Sequence, residues 1–178
     1  MKNLEKQLGS PDKMLTTILD QVSAWGMPYL ECDHVCYRAS TQERYQGLRR
    51  ELANIGTLQS EDIINGRPIC IFELHDPLIF NGRTIPCLEL PAPKAGSTYA
   101  EGWEHLELVV PMVGTATPRS TVEKFIQQYP ALPFDLKGMD KIHNPEAGVK
   151  IPGTPYQVKF HPRSILEVIR LEKSDPHS

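Results

Sequence analysis

Between Gly102 and Pro111 the chain reads GWEHLELVVP, with Leu106, Leu108 and Val110 on one side of a period-two pattern and Trp103, His105 and Glu107 on the other. The alternation predicts a strand, and its polar side carries an imidazole and a carboxylate where aliphatic residues would pack. An earlier run, YLECDHVCYRAS, has the same alternation and aromatic content and places His34 in a comparable position.

Helical periodicity fills the intervals. In SPDKMLTTILDQVSAWG, Ser10 is placed to cap and Pro11 to occupy the first helical position. Met14, Leu15, Ile18, Leu19, Val22 and Trp25 form the apolar stripe, and Gly26 stops the helix. STQERYQGLRRELANIG repeats the design, with a capping box expected between Ser40 and Glu43, a stripe of Tyr45, Leu48, Leu52 and Ile55, and Gly56 as terminator. Two Asn-Gly pairs, Asn65-Gly66 and Asn81-Gly82, then separate TLQSEDII, RPICIFELH with DPLIF, and RTIPCLELP. Asn-Gly is the strongest short hairpin signal, because both residues tolerate positive φ. Residues 28–91 therefore read βαβββ.

After a Pro, Gly and Ser-rich linker at 92–101, residues 102–163 repeat the order. A strand leads into TPRSTVEKFIQQYP, a helix with Thr117 as cap and Pro118 first, and strand-like pieces follow in LPFDLKGMD, AGVKIPG and PYQVKFHP. His105 stands 71 positions after His34, Gly153 after Gly82 and Pro162 after Pro91, the constant offset of a duplicated module. A helix precedes the modules within residues 1–27. The tail at 164–178 is read as a short helix opened by Ser164 and Glu167 rather than as a strand, and the whole is expected to be one structural domain. The fold class is α+β, with two βαβββ modules.

Composition narrows the role. The charge is −3, from 19 basic and 22 acidic residues, and gives no electrostatic footprint for nucleic acid or an anionic membrane. No apolar run approaches the roughly 18 residues of a spanning helix. MKNLEKQLGS has no apolar signal-peptide core, so a cytoplasmic protein is expected. Cys32, Cys36, Cys70 and Cys87 lie in apolar strand-like runs without CxxC spacing, which predicts reduced, buried thiols. Cys32, His34 and Cys36 share a strand face, and a thiolate metal site there is the lesser reading. His75, His143 and His177 are read as surface or loop residues, and Trp103 and Tyr156 as core or wall.

The two histidine strands, DHVCYR and WEHLELVV, each opening a βαβββ half, resemble the vicinal oxygen chelate superfamily, which includes glyoxalase I, extradiol dioxygenases and epimerases. More narrowly, INGRPIC, EGWEHLELVVP and KFHPRSI resemble the YecM family, an uncharacterised branch of it, and the resemblance spans about residues 30 to 170. It implies that the modules pair into an open, curved barrel, with a divalent metal held by side chains from first and fourth strands. Carried over by position, the implied ligands are His34, His105 and Glu89. The second half departs from the family pattern, since PYQVKFHP offers Lys159 and His161 but no carboxylate. The fourth ligand is left among His161, Glu167, Glu107 and water.

Two imidazoles and one carboxylate suit Fe(II), Mn, Ni, Co or Zn and leave positions for water or a bidentate substrate. Glu107 shares the face of His105, as a ligand, an acceptor that fixes the imidazole tautomer, or a general base; a salt-bridge or tautomer-fixing role is the default. Arg67, just after a turn, is either a surface ion-pair partner or a bidentate contact to a substrate anion. Lys159 and His161 lie on one strand face, so both point inward or both outward. Inward, Lys159 clamps an anionic substrate and His161 serves as fourth ligand or acid/base group.

These features lead to an expected metal-dependent enzyme, an isomerase or lyase or else a dioxygenase, acting on a small oxygen-rich and anionic molecule as monomer or homodimer. A non-catalytic small-molecule or metal-binding protein of the same fold, and a metal-free structural module, are the other classes.

Overall fold

The computed structural model describes residues 2–98 and 100–174. His177 lies outside the described residues. Among them are eight strands and five helices, the α+β class and paired βαβββ order expected from the pattern. A helix α1 (Lys2–Leu8) precedes α2 (Asp12–Ala24). The first module is β1 (Glu31–Arg38), α3 (Gln42–Leu52), β2 (Gly56–Ile64), β3 (Arg67–Phe80) and β4 (Arg83–Pro91). The second is β5 (Gly102–Val109), α4 (Pro118–Gln128), β6 (Asp135–Gly138), β7 (Glu146–Lys150) and β8 (Gln157–His161), and α5 (Ile165–Ser174) follows.

Within each module the hydrogen-bonded order is the same: first strand beside fourth, fourth beside third, third beside second. β1 runs parallel to β4, with His34 opposite Cys87 and Cys36 opposite Glu89. The chain also divides into two compact units, Met1–Thr16 with His34–His105 and Thr17–Asp33 with Leu106–Ser178. In β1 the division falls between Asp33 and His34, and in β5 between His105 and Leu106.

Both Asn-Gly pairs make the expected tight turns. Asn65 and Asn81 adopt φ of 52 and 47, and the pairs Ile64 with Arg67 and Phe80 with Arg83 close two-residue hairpins. Thr117 caps α4, accepting from the Ser120 amide, while the Ser120 hydroxyl accepts from the Thr117 amide, and Pro118 opens the helix.

Three local expectations shift. The cap of α3 is Thr41, whose hydroxyl accepts from the Arg44 amide at 3.0 Å, and not Ser40, which donates to Glu101 instead. Gly56 does not end α3, which closes at Ala53; it opens β2, where an added Cβ would stand 2.9 Å from the Glu73 carbonyl oxygen. Helix α1 had no signal, because its seven residues present too little apolar periodicity. The terminal segment is helical, as expected. The Ser164 hydroxyl accepts from the Glu167 amide, while the Glu167 carboxylate turns to Arg163.

The first unit buries Val35, Tyr45, Leu48, Leu52, Phe72, Ile85, Leu88 and Leu90. The second unit packs Val122, Met139 and Ala147 with Ile126 and Phe134, and stacks Phe160 on Phe125 at 4.8 Å between centroids. All four cysteines are buried and reduced, as expected. No helix among the described residues is long and apolar enough to cross a membrane.

Candidate functional site

In the first unit, three strands deliver three donors. Period-two alternation sends Val35 into the apolar core and leaves His34 on the opposite face of β1. In the same way Leu88 and Leu90 are buried while Glu89 between them points elsewhere. His34 Nε2 lies 3.7 Å from Glu89 Oε2, and His105 Nε2 lies 3.8 Å from Glu89 Oε1. The two rings meet edge to face, with centroids 6.3 Å apart. His34 is 1% exposed and His105 3%, so neither is a surface histidine.

These separations exceed a hydrogen bond. Donors bound at about 2.1 Å to one ion stand roughly 3.0–3.5 Å apart, and the observed distances are within a few tenths of that. One atom from each of the three residues lies within 4.8 Å of the others. Two imidazole nitrogens and a carboxylate oxygen facing one another thus fit a divalent ion by donor type and by spacing.

Behind His105, its Nδ1 is 3.9 Å from Glu104 Oε1. The Arg38 guanidinium grips Glu104 with Nε on one oxygen and Nη2 on the other, the fork geometry of a bidentate pair. Burial disfavours the charged form of Glu104, but the neighbouring His105 and the hydrogen-bonded Arg38 guanidinium outweigh it and hold the carboxyl down at about 2. Cys36, Glu104 and His105 also bring donor atoms within 4.8 Å of one another. Arg67 is half-buried at the start of β3, and its Nη1 donates to the Ala92 carbonyl at 3.2 Å. Trp103 stacks edge-on against Tyr37 at 5.1 Å and donates its indole N–H to Gly9.

In the second unit a different constellation forms. Glu107 accepts from Lys159 Nζ at 2.7 Å through Oε1, and its Oε2 lies 3.3 Å from His161 Nε2. Lys159 and His161 therefore do share one face of β8, the face turned to Glu107. Lys159 also lies 3.7 Å from Glu146, which accepts from Lys141 at 2.7 Å. On its other side His161 Nε2 is 3.5 Å from Asp33 Oδ2, and both Asp33 oxygens accept from the Ile165 amide that opens α5. The Glu167 carboxylate is 3.2 Å from Arg163 and half-exposed, and so is drawn to that guanidinium.

Asp33, Asn144, Arg38 and Glu104 were not singled out from the sequence. Asn144 donates to the Arg163 carbonyl and accepts from the Arg163 amide, at 3.0 Å each, which fixes the backbone beside His161. For Asp33 a signal existed, since an acid directly before a candidate histidine ligand is costly to bury without partners. The 71-residue offset also slips in the last strand. It carries Glu89 onto Phe160, which faces the aromatic core, while the polar face of β8 holds Lys159 and His161. A one-residue slip exchanges the two faces of a strand, so the repeat conserves element order but not the ligand position.

A family model described as YecM protein matches residues 2–172. Protein YecM of Escherichia coli strain K12 is 34% identical over 155 residues, covering 82% of this chain and 80% of the relative. An uncharacterised protein of Haemophilus influenzae is 27% identical over 163 residues, covering 84% and 83%. Among solved structures, a structural-genomics protein, EC4020, superposes with a TM-score of 0.73 at 31% identity, covering 94% of this chain and 92% of its own. Streptomyces coelicolor methylmalonyl-CoA epimerase in complex with 2-nitronate-propionyl-CoA gives a TM-score of 0.51 at 9% identity, covering 76% and 99%, a likeness of fold.

Proposed function

The chain belongs to the YecM family, with a fold resembling the vicinal oxygen chelate superfamily, and on that premise we propose that it is a divalent-metal-dependent enzyme acting on a small, oxygen-rich, anionic molecule. The observation that carries the reading is the buried His34, Glu89 and His105 set, with two imidazoles facing the two oxygens of one carboxylate. These three residues hold the ion, and Arg38 and Glu104 behind His105 fix the ring's orientation. When bound, the ion supplies Lewis acidity toward neighbouring substrate oxygens. Arg67, next to the turn that opens β3, contacts the substrate's anionic group.

Two branches of chemistry divide on separate observations. The two-histidine, one-carboxylate donor set favours Fe(II) and dioxygen activation. The epimerase-like fold favours proton transfer beside a carbonyl.

Elemental analysis of the wild-type chain, His34→Ala, His105→Ala and Glu89→Gln tests the metal site, with about tenfold or greater loss of bound Fe(II), Mn(II) or Zn(II) expected in each variant. Metal content unchanged in all three would remove the proposal and leave a non-catalytic binding protein of the same fold. With metal bound, oxygen uptake on a catechol panel marks the dioxygenase branch. Deuterium exchange into 2-oxo and 3-oxo acids marks the isomerase branch.

A further inference from the structure

We infer that Glu73, held by Gln59, is a specificity-determining residue of the first unit: it takes a hydrogen bond from a donor group, a hydroxyl or an ammonium, on the part of the substrate that lies beyond the metal-bound oxygens. This role rests on the metal-dependent reading of His34, Glu89 and His105, and it narrows the substrate class to acids that carry such a donor.

The pairing of β3 with β4 sets the position. Glu73 pairs with Cys87 and Ile71 with Glu89, and on the other side of β4 Cys87 lies opposite His34. Paired residues share a face, so Glu73, Ile71, Cys87, Glu89 and His34 all project from one side of the sheet. Phe72, Leu88 and Leu90 take the other side and are buried there. Glu73 and Glu89 are then diagonal neighbours, at roughly 7–8 Å, a separation that one small molecule spans.

Two irregularities bracket this carboxylate. Gln59 is the extra residue in β2 at the register shift between Leu58 and Ser60, and such a bulge re-aims a side chain. Its Nε2 donates to Glu73 Oε2 at 2.7 Å, while Glu73 Oε1 has no partner among the described residues. The ladder between β3 and β4 breaks directly after Glu73 and resumes at Leu78. Bulges are over-represented beside active sites. Glu73 is half-buried, so its open oxygen is neither sealed in the core nor fully solvated. A carboxylate only accepts: it repels a second anion and takes N–H or O–H donors. An anionic molecule bound at the ion therefore presents a donor toward Glu73, and not a further carboxylate.

Isothermal titration of the Mn(II)-loaded full chain with three six-carbon acids tests the role. 2-Hydroxyhexanoate has no further donor, gluconate adds hydroxyls, and 6-amino-2-hydroxyhexanoate adds an ammonium. At least one of the donor-bearing acids should bind about tenfold more tightly than 2-hydroxyhexanoate, the worth of a hydrogen bond to a charged acceptor, and the tighter of the two names the donor. Glu73→Gln keeps the size and loses the charge, and should bring that ratio to within about twofold of equality at unchanged Mn(II) content. Gln59→Met releases the carboxylate from its fixed orientation and should lower the same ratio. Equal affinities for the three acids, no binding of any, or a ratio untouched by Glu73→Gln would overturn the role of Glu73 and leave the metal reading standing. The opposite failure is distinct: a Glu73-dependent preference that persists when His34→Ala with His105→Ala has removed the ion keeps the Glu73 contact and takes away the metal reading.

Discussion

The two modules share an order of elements and diverge in what their fourth strands carry. In β4 a glutamate between two buried leucines turns toward two histidines. In β8 the residue 71 positions on is Phe160, stacked on Phe125, and the polar face passes to Lys159 and His161 on either side. The difference teaches that two modules of one topology share what packing demands, the alternation and the crossover, more strictly than they share a side chain's chemistry. Each half has become polar in its own way. The first gathers donors around one carboxylate, and the second threads acids and bases from Asp33 through His161, Glu107 and Lys159 to Glu146.

The sharpest contrast comes from substituting the two offset-related residues. Phe160→Ala should cost about 3–5 kcal/mol by emptying an aromatic core position, seen as a lowered denaturation midpoint. Glu89→Gln should leave the midpoint within about 1 kcal/mol and lower metal retention instead. Equal stability losses would mean that the two positions do the same job.

Acid should strike the first unit through Glu104. Its folded carboxyl is held at about 2, below the unfolded value of about 4.3, so its contribution is fully present above that value and disappears as the pH falls from there toward 2. The stake is on the order of 3 kcal/mol. Glu104→Gln should flatten the acid limb of a stability profile between pH 5 and 2. An unchanged slope would deny the Arg38 and His105 contacts their role.

Lys159→Met strands the Glu107 carboxylate and should cost about 1–3 kcal/mol, less than a fully buried pair because the lysine is 18% exposed. The helix caps give the smallest test. Thr117→Ala breaks a reciprocal capping box and should cost about 1–2 kcal/mol, and Thr41→Ala, which loses one acceptor, about 0.5–1 kcal/mol. Chemical denaturation of both variants side by side reads the difference.

What the sequence made legible was local or periodic. The strand alternation around His34 and His105, the Asn-Gly turns and the Thr117-Pro118 helix start each rest on a few neighbouring residues. Assigning the α3 cap to Ser40 failed by one position because Ser and Thr stand side by side, and the partner that takes Ser40, Glu101, is 61 residues away. The groups behind the imidazoles were hidden for the same reason. Arg38 meets Glu104 across 66 residues, Asn144 meets Arg163 across 19, and Asp33 meets Ile165 across 132. Gly56 looked like a helix stop, and only the approach of the Glu73 carbonyl reveals why a side chain does not fit there.

The hydrogen bond from the Ile165 amide to Asp33 also bears on the order of assembly. A helix start that takes its cap from a residue 132 positions earlier is complete only once the first strand and the start of α5 have met. Such long-range closure is slow relative to turns and hairpins. Docking of α5 is therefore expected among the last events of folding, setting the His161 face of the second unit only once the rest of that unit has formed.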